Sequence, residues 1–528
     1  MQADEFFEML HTPSVFGKNV KKVTVLQTHI SYVVLTDEFA YKIKKPVDFG
    51  FLDYSTLEKR KHFCNQEVLL NKRLCPEIYL GLVSLTKTSD SLELDGSGEV
   101  VEYAVKMKQF SQDHIMTQLL QEDTIVHRHI DDILSVLVPF YHNQQSSQDI
   151  QSYGALESIR QNTDENFEQT QAMIGTTITK DAFDELKQTT DDFYLEHSDV
   201  FEHRQSCIKD CHGDLHSGNI VIQKEKTCIF DCIEFNKRFR YIDVASDIGF
   251  LAMDLDYLNQ PYLSSYLIDS YVNQSNDTGI FDVLNFYKTY RAYVRGKVAG
   301  FKLNDPHVSQ KDKEQVCSIT HQYFSLACYY AKLLQIQMTN SRPLLFMVMG
   351  ITGTGKSTIA QKLSVDYHAI VINTDIIRKQ QAGMDVYERH HDEFDKGLYS
   401  PENITQTYKM VAEFAEKQLT AGYHVVVDAT CRTQQHRSLI SSVAEKHDAL
   451  VVRIYCVCDD EVARSRLDKR VQSKSISDGR WEIYHQQKDS FESFTDDEKV
   501  IIFDTGNEDY EYRMNLFNTI AQKILGEE

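Results

Sequence analysis

Proline is scarce in this sequence, with 8 residues among 528, and no apolar run approaches the roughly 20 residues that span a bilayer. Neither long disordered linkers nor a membrane-spanning helix is therefore expected. Positive charge is also in deficit, because 56 Lys and Arg stand against 78 Asp and Glu, for a net charge of -22. Such a chain repels nucleic acid and anionic membranes as a whole, while leaving room for a local basic groove.

Paired cysteine motifs are absent as well. None of the 11 cysteines belongs to a C-x-x-C, and a zinc site would need such pairs with His at defined spacing, so zinc is not expected. We expect the cysteines to be buried thiols in a reducing cytosol. The acidic N-terminal segment shows no basic stretch followed by an apolar one, so we expect no signal peptide and predict a cytoplasmic protein.

The rest of the composition is typical of a globular chain, with 42% apolar and 25% charged residues. Its length predicts roughly two to four domains. Strand-like runs at 23–44, 79–86 and 100–108 surround a helix at about 55–74, and mostly helical sequence follows. Beyond TNSRP at 339–343, apolar strands alternate with helices, which indicates a parallel sheet with helices on both faces.

The sequence GITGTGKST at 350–358 matches the Walker A motif in full, after an apolar strand and before a helix. The glycines allow backbone N–H groups to wrap around phosphates. We predict that Lys356 reaches the β- and γ-phosphates and assists catalysis, and that the Ser357 hydroxyl ligates Mg²⁺. The other predicted ATP-binding residues of this loop are Gly350, Thr352, Gly353, Thr354, Gly355 and Thr358.

Polar residues follow two further strands of this half. Asp375 lies at a strand's carboxyl end, where it could accept the proton of an acceptor hydroxyl, and Arg378 could hold an anion on the same side of the next helix. Asp428 ends the apolar strand HVVVD, and we expect it to hold the Mg²⁺ shell through water.

A cluster of basic residues lies further along, on a helix: Arg464, Arg466, Lys469 and Arg470. The cluster is either a solvated charged face or an arginine lid that closes on the transferring phosphoryl group. In the second interpretation, Arg466 and Arg470 are catalytic.

These motifs resemble small P-loop kinases, whose relatives include zeta-toxin-like and polynucleotide-kinase-like enzymes. The resemblance covers roughly 342–526 and depends on Walker A, D-x-x-R at 375–378, DAT at 428–430 and the arginine-rich helix. It implies transfer of the ATP γ-phosphoryl group to a hydroxyl. It names no acceptor, because the relatives phosphorylate chemically diverse ones.

The first half carries a second phosphoryl-transfer motif. CHGDLHSGNI at 211–220 has the spacing of the protein kinase catalytic loop H-R-D-x-x-x-x-N. Asp214 would orient and deprotonate the acceptor hydroxyl, and Asn219 would ligate Mg²⁺. Asp231 ends an apolar strand and takes the place of the second metal ligand, with Glu234 near enough to be a spare ligand for metal or water.

The phosphate-binding lysine of this site is expected in AYKIKK. Lys42 and Lys44 lie on the same face of the predicted strand, so both fit, with a slight preference for Lys42. Glu67, on the helix that follows, is the acid predicted to pair with that lysine.

The chain resembles the aminoglycoside phosphotransferase family and its choline-kinase-like relatives over roughly 25–330. The resemblance depends on the lysine strand, Glu67, the catalytic motif with Asp214 and Asn219, and Asp231, in this order along the chain. HGDLHSGNI is close to the family's HGDLHPGNI, with Ser217 in place of Pro. No G-x-G-x-x-G loop precedes the lysine strand, so we expect the hairpin near 27–31 to cover the phosphates. Asp243 and Asp247 are expected to brace the catalytic loop without taking part in the chemistry.

Together the two resemblances imply a fusion, with an α/β plus α+β fold class. Residues 1–338 are predicted to form a bilobal, protein-kinase-like domain, with an N-lobe at about 20–110 and a helical C-lobe at about 111–338. Residues 339–528 are predicted to form a P-loop NTPase domain with a parallel α/β sheet.

The leading hypothesis is a bifunctional kinase with two separate sites that use ATP and Mg²⁺ on hydroxyl-bearing small molecules. In a second hypothesis one half is catalytic, and the other half senses nucleotide or binds substrate. In a third, the P-loop half phosphorylates nucleic-acid 5′-hydroxyls, although the acidic net charge argues against it. The sequence indicates neither the acceptors nor the oligomeric state.

Overall fold

The computed structural model describes residues 3–88, 91–144, 146–223, 226–304, 309–385, 396–471 and 476–526. The chain forms two compact units that alternate along the sequence. Unit 1 comprises Met1–Asp164, Ser198–Asp254 and Ser270–Asp277, and unit 2 comprises Glu165–His197, Leu255–Asp269 and Thr278–Glu528. Unit 2 thus includes helices that precede residue 339. The domain boundary at residue 339 therefore stays a prediction.

The described strands, in chain order, are β1 Thr24–Gln27, β2 Ser31–Leu35, β3 Phe39–Lys44, β4 Tyr79–Lys87, β5 Leu92–Leu94, β6 Glu99–Lys108, β7 Ile208–Asp210, β8 Ile220–Gln223, β9 Lys226–Ile229, β10 Tyr241–Asp243, β11 Leu344–Met349, β12 Ala369–Asn373, β13 His424–Asp428, β14 Leu450–Val457 and β15 Ile501–Asp504.

The described α-helices are α1 Ala3–Met9, α2 Leu57–Asn71, α3 Met116–Gln121, α4 His127–Asn143, α5 Gln148–Gln151, α6 Leu156–Thr170, α7 Lys180–Glu196, α8 Ser198–His203, α9 Val244–Tyr257, α10 Pro261–Ser275, α11 Leu284–Phe301, α12 Gln310–Thr339, α13 Lys356–Asp366, α14 Thr374–Gln381, α15 Pro401–Thr420, α16 Gln434–Lys446, α17 Asp460–Val471, α18 Trp481–Asp489 and α19 Tyr510–Leu525. Within the described ranges, none of these helices combines the length and apolarity needed to cross a membrane.

An antiparallel sheet of six strands, in the order β1-β2-β3-β6-β4-β5, forms the first part of unit 1. Alternate residues face a core that includes Val34, Tyr41 and Ile43, as the period-2 pattern of these strands predicts. Helix α2 begins after Thr56, whose hydroxyl accepts the Lys59 backbone N–H. The strands and the helix predicted at 23–108 are confirmed, whereas the short strand β5 was not predicted.

Two small antiparallel pairs, β7 with β10 and β8 with β9, follow in unit 1. The segment 211–219 lies between β7 and β8, and the turn after β9 begins at residue 230. Both ends of the catalytic motif are therefore anchored in hydrogen-bonded strands, as a positioned active-site loop requires.

Unit 2 contains a five-stranded parallel sheet in the order β12-β13-β11-β14-β15. All six residues of the central strand β11 are buried, as expected of a strand covered on both faces. This arrangement confirms the predicted parallel α/β fold of the C-terminal half. Helix α18, helix α19 and the edge strand β15 were not predicted.

Four charged side chains and two tyrosines are buried together in unit 2: Asp256, Lys288, Tyr329, Tyr330, Lys362 and Asp366. Lys362 Nζ, on the helix α13 that follows the phosphate loop, lies 2.6 Å from the Asp366 carboxylate and 3.6 Å from that of Asp256. Lys288 Nζ lies 2.7 Å from Asp256. Because buried charges are tolerated only when paired, helices α9, α11 and α13 are fixed to one another through these contacts.

We expect Lys362→Met to lower the free energy of unfolding by about 3–5 kcal/mol, because Asp366 and Asp256 would lose a buried partner. Urea unfolding of the full chain measures the change. The matched control is Lys446→Met, which removes an exposed partner of Glu416 and should cost about 0.5 kcal/mol or less. Equal effects of the two substitutions would contradict the role assigned to the buried cluster.

Candidate active sites

The catalytic loop of unit 1 is fixed by one buried carboxylate. Asp247 accepts the backbone N–H groups of His212 at 2.7 Å and Gly213 at 2.9 Å. Gly213 has φ +87°, and a Cβ there would lie 2.6 Å from a backbone oxygen, so only glycine fits this turn. Asn219 Nδ2 then donates to Asp214, at 3.0 Å to its carbonyl and 3.1 Å to Oδ2. The structure thus brings the predicted base and the predicted metal ligand together.

The two predicted bracing aspartates have different surroundings. Asp247 contacts the loop directly, as expected. Asp243 instead accepts a bidentate hydrogen bond from the buried Arg204 guanidinium, at 2.6 and 2.8 Å. Its contribution to the loop is therefore indirect, through the start of α9, where it also accepts the Ala245 backbone N–H.

Lys42, Glu67 and Asp231 meet at the mouth of the unit 1 site. Lys42 Nζ lies 2.9 Å from Glu67 Oε1 and hydrogen-bonds Asp231 Oδ1. Burial alone would lower the pKa of Lys42, but the carboxylates of Asp231 and Glu67 hold it well above its usual value. The Asp231 side chain is 41% exposed, so this side of the cluster is open to a ligand.

Lys44, the other lysine that the sequence allowed, is placed differently. Its side chain is 1% exposed, and Nζ contacts Glu67 Oε2 at 2.6 Å and the carboxylate of Glu234. Tyr54 donates its hydroxyl to the same Glu234 oxygen. With its ammonium enclosed by these groups, Lys44 is a poorer candidate for binding phosphate than Lys42.

The turn that presents Asp231 is held by two further side chains. Asp231 has φ +63°, a left-handed conformation that costs energy for any residue but glycine. Its N–H donates to the Tyr79 hydroxyl at 3.1 Å, and the next N–H, of Cys232, donates to Asn71 Oδ1 at 2.8 Å. These two hydrogen bonds stabilise the turn.

The cysteine prediction requires a correction, because Cys75 and Cys228 form a disulfide. Their Cα atoms are 5.0 Å apart, within the range that a disulfide spans, although the residues are separated by 153 positions in the sequence. Cys75 follows helix α2, which carries Glu67, and Cys228 lies in β9, just before Asp231. The nine other cysteines are free; five of them are buried, as expected, and four are half-buried.

The phosphate loop of unit 2 adopts the backbone that its glycines allow. Gly353 and Gly355 have φ +81° and +80°, and helix α13 starts directly afterwards at Lys356. Lys356 Nζ donates to the Ile351 carbonyl at 2.8 Å, across the loop. Burial lowers the pKa of Lys356, against the opposing effect of Asp428 and Asp375.

Ser357 and Asp428 converge on one position at the end of the sheet. Ser357 Oγ donates to Asp428 Oδ2 at 2.7 Å, and Asn373 Nδ2 donates to the same oxygen at 2.7 Å. A hydroxyl and a carboxylate are the hard oxygen ligands that Mg²⁺ prefers, so the donor set fits this ion. Within the described residues, no group of three or more His, Cys, Asp or Glu could hold a metal, as is usual where phosphates complete the shell.

Asp375 and Arg378 form an ion pair at the start of α14, where Asn373 caps the helix. Arg378 Nη1 lies 2.6 Å from Asp375 Oδ1, and its guanidinium stacks 4.6 Å from the ring centre of Tyr399. Burial alone would raise the pKa of Asp375, but Arg378 holds it below its usual value. Arg378 Nε is buried and has no hydrogen-bond partner among the described residues.

A cavity of about 150 Å³ brings the predicted residues of unit 2 together. Its lining includes Lys356, Ser357, Asp375, Arg378, Asp428 and Arg470. Arg466 does not line it: this guanidinium donates to Thr505, at 2.8 Å to both Oγ1 and the carbonyl. Because Thr505 Oγ1 also lies 2.8 Å from the Thr354 carbonyl, Arg466 supports the phosphate loop from outside the cavity.

Two polar residues near the sites were not singled out from the sequence. His216 accepts the Gly218 N–H at Nδ1, which leaves Nε2 facing Asp214 Oδ2 at 3.5 Å. Gln487, on the unpredicted helix α18, accepts the Thr352 N–H at 2.8 Å. His216 could have been found, since it lies inside the catalytic motif, but nothing local marks Gln487.

The fold of unit 2 and its loop define a P-loop nucleotide-binding unit, and the comparisons agree. A family model described as "AAA domain" matches residues 345–494. Uncharacterized proteins of Mycobacterium tuberculosis and Mycobacterium bovis are each 28% identical over 455 residues, which is 86% of this chain and 87% of the relative. The P-loop resemblance predicted from the sequence is therefore confirmed for the C-terminal half.

Similar solved structures include the following three. A gluconokinase from Sinorhizobium meliloti is 13% identical, with a TM-score of 0.26, and covers 36% of this chain and 98% of its own. A GDP complex of aminoglycoside 2'-phosphotransferase-IIIa is 12% identical, with a TM-score of 0.37 and coverage of 62% and 99%. A choline kinase from Cryptosporidium parvum is 10% identical, with a TM-score of 0.38 and coverage of 63% and 96%.

The disulfide is expected to stabilise unit 1. Cys228→Ser should lower the free energy of unfolding by about 4 kcal/mol without reductant, because a bridge across a long loop restricts the unfolded chain. Addition of dithiothreitol should lower the melting temperature of the wild type and leave that of the variant unchanged. Cys207→Ser, at a free cysteine, is the control. A wild type insensitive to reductant would contradict the pairing.

Proposed function

We propose that this chain is a bifunctional phosphotransferase whose two sites each move the γ-phosphoryl group of ATP to a hydroxyl acceptor. One observation supports the proposal: Lys42 contacts Glu67 and Asp231, and Asn219 contacts Asp214, within unit 1, while Lys356, Ser357, Asp375 and Asp428 line one cavity of unit 2. The residues named for each set belong to one unit.

In unit 1, Lys42 binds the phosphates, and Glu67 keeps the lysine in position. Mg²⁺ would be held by Asn219 and Asp231, where it neutralises phosphate charge. Asp214 accepts the proton of the acceptor hydroxyl, and its carboxylate is kept in place by the amide of Asn219.

In unit 2, the backbone N–H groups of the phosphate loop and Lys356 bind the phosphates, with the start of α13 adding a favourable dipole. Mg²⁺ would be held by Ser357 directly and by Asp428 through water. Asp375 accepts the acceptor's proton, and Arg470, at the cavity wall, stabilises the transferring phosphoryl group. Arg466 keeps the loop in place through Thr505.

Small molecules are the proposed acceptors of both sites. The cavity of unit 2 is enclosed on several sides and lined by Arg378 and Tyr399, which suits a compact acceptor with an anionic group better than a polymer. The net charge of -22 supports the same choice, since a polyanion would be repelled.

Two nucleotides should bind per chain. Calorimetric titration with a non-hydrolysable ATP analogue and Mg²⁺ is expected to give a stoichiometry near two, which falls to one in Lys356→Ala or Lys42→Ala and to none in the double variant. The same titration with a GTP analogue tests nucleotide choice. A stoichiometry of one in the wild type would favour a single catalytic half.

Each site should have its own product. Metabolite extracts incubated with γ-labelled ATP are expected to yield two labelled products with the wild type, one of which is lost in Asp214→Asn and the other in Lys356→Ala. The carboxamide of Asn cannot accept the hydroxyl proton, and Ala cannot contact the phosphates. If one substitution abolished both products, the independence of the sites would be wrong.

A further inference from the structure

Two ion pairs, not one, lie behind the phosphate-binding position of unit 1. The fully buried Glu67 carboxylate contacts a different lysine with each oxygen, Lys42 through Oε1 and Lys44 through Oε2. Lys44 Nζ also donates to Glu234 Oε1, which accepts a second hydrogen bond from the Tyr54 hydroxyl. The contacts therefore link helix α2, strand β3 and the turn after β9.

Glu234 is placed to control Asp231, because the two residues belong to the same short turn. Its carboxylate was a candidate spare ligand for metal or water on sequence grounds. In the structure its Oε1 is occupied by Lys44 and Tyr54, and the side chain is only 5% exposed. Direct metal binding is thus disfavoured, and a role through the turn is favoured.

The two ion pairs differ in what nucleotide binding does to them. Lys42 contacts Asp231, so this contact must break when Lys42 takes the phosphates and Asp231 takes the metal. Lys44 and Glu234 are buried away from that position, and their contact can persist. Only the second pair can therefore keep the turn against helix α2 in both states.

We propose that Lys44, Glu234 and Tyr54 are positioning residues, which hold the Asp231 turn in place while Lys42 exchanges Asp231 for the phosphates. The proposal rests on the proposed kinase function of unit 1. Stability alone does not explain a buried pair of this kind, because apolar residues of similar size are often at least as stabilising.

A double-mutant cycle in the full chain tests the proposal, in a Lys356→Ala background that silences unit 2. The variants are Lys44→Met, Glu234→Gln and the two combined, with Lys59→Met as control, since Lys59 pairs with Asp53 at the surface. The first measurement is the rate at which γ-labelled ATP is hydrolysed by water. The second is the Mg²⁺ concentration that produces half of the rise in melting temperature caused by nucleotide. The third is the melting temperature without metal.

Each single substitution is expected to lower kcat about tenfold or more, as the loss of residues that orient metal ligands usually does, with a smaller change in KM for ATP. The half-effective Mg²⁺ concentration should rise in parallel. The double variant should fall no further in kcat, because the pair acts as one unit. Its melting temperature should recover relative to the single variants, because neither charge is left unpaired.

Three results would overturn the proposal. The first is an unchanged kcat in Glu234→Gln, and the second is additive losses of kcat in the double variant, which would indicate that Glu234 acts alone as a ligand. The third is recovery of kcat together with the melting temperature in the double variant, which would indicate a structural role only. Asp214→Asn in the same background distinguishes a failure of the proposed kinase function from a failure of the positioning role. If it leaves ATP hydrolysis unchanged, the kinase function of unit 1 itself is wrong. If it abolishes hydrolysis while the cycle fails, only the positioning role is wrong.

Discussion

The Glu67 carboxylate is shielded from solvent, and burial alone would raise its pKa. Two lysines hold that pKa well below its usual value, so the group stays charged inside the protein. A buried charge with two partners fixes both of them. Strand β3 must therefore present Lys42 and Lys44 on one face, and helix α2 must pack so that Glu67 contacts both lysines. The six-stranded sheet, the capped helix and the turn at Asp231 all satisfy this requirement.

Unit 2 meets the same electrostatic problem in another way. Asp428 is buried, which raises its pKa, whereas the charge of Lys356 and the hydrogen bonds from Ser357 and Asn373 lower it. Neutral donors stabilise a carboxylate less than an ammonium group does. The two hydrogen bonds thus compensate the charge of Asp428 only in part, and a divalent cation bound there would add to the compensation. Both sites nonetheless contain preformed ion pairs, Lys42 with Glu67 in unit 1 and Arg378 with Asp375 in unit 2.

The sequence predicted those features that are local in the chain. Strand alternation, the glycines of the phosphate loop and the spacing of Asp214 and Asn219 need only neighbouring residues to be recognised. The choice between Lys42 and Lys44 could not be made that way, because the two lysines share a face, and what separates them is a pair of acids about 190 positions further on. The same holds for the disulfide between Cys75 and Cys228.

The predicted joint at 339–343 is a boundary in the chain but not in the packing of unit 2. Lys362 and Asp366 belong to the helix that begins at the phosphate loop, yet their partners Asp256 and Lys288 come before the joint. A fragment of residues 339–528 would lack those partners, and the surface that α13 buries against earlier helices would be exposed. Because unpaired charges on such a surface are costly, the fragment should be less stable than the same residues in the whole chain. Cutting the chain at the joint would therefore disturb the P-loop unit itself.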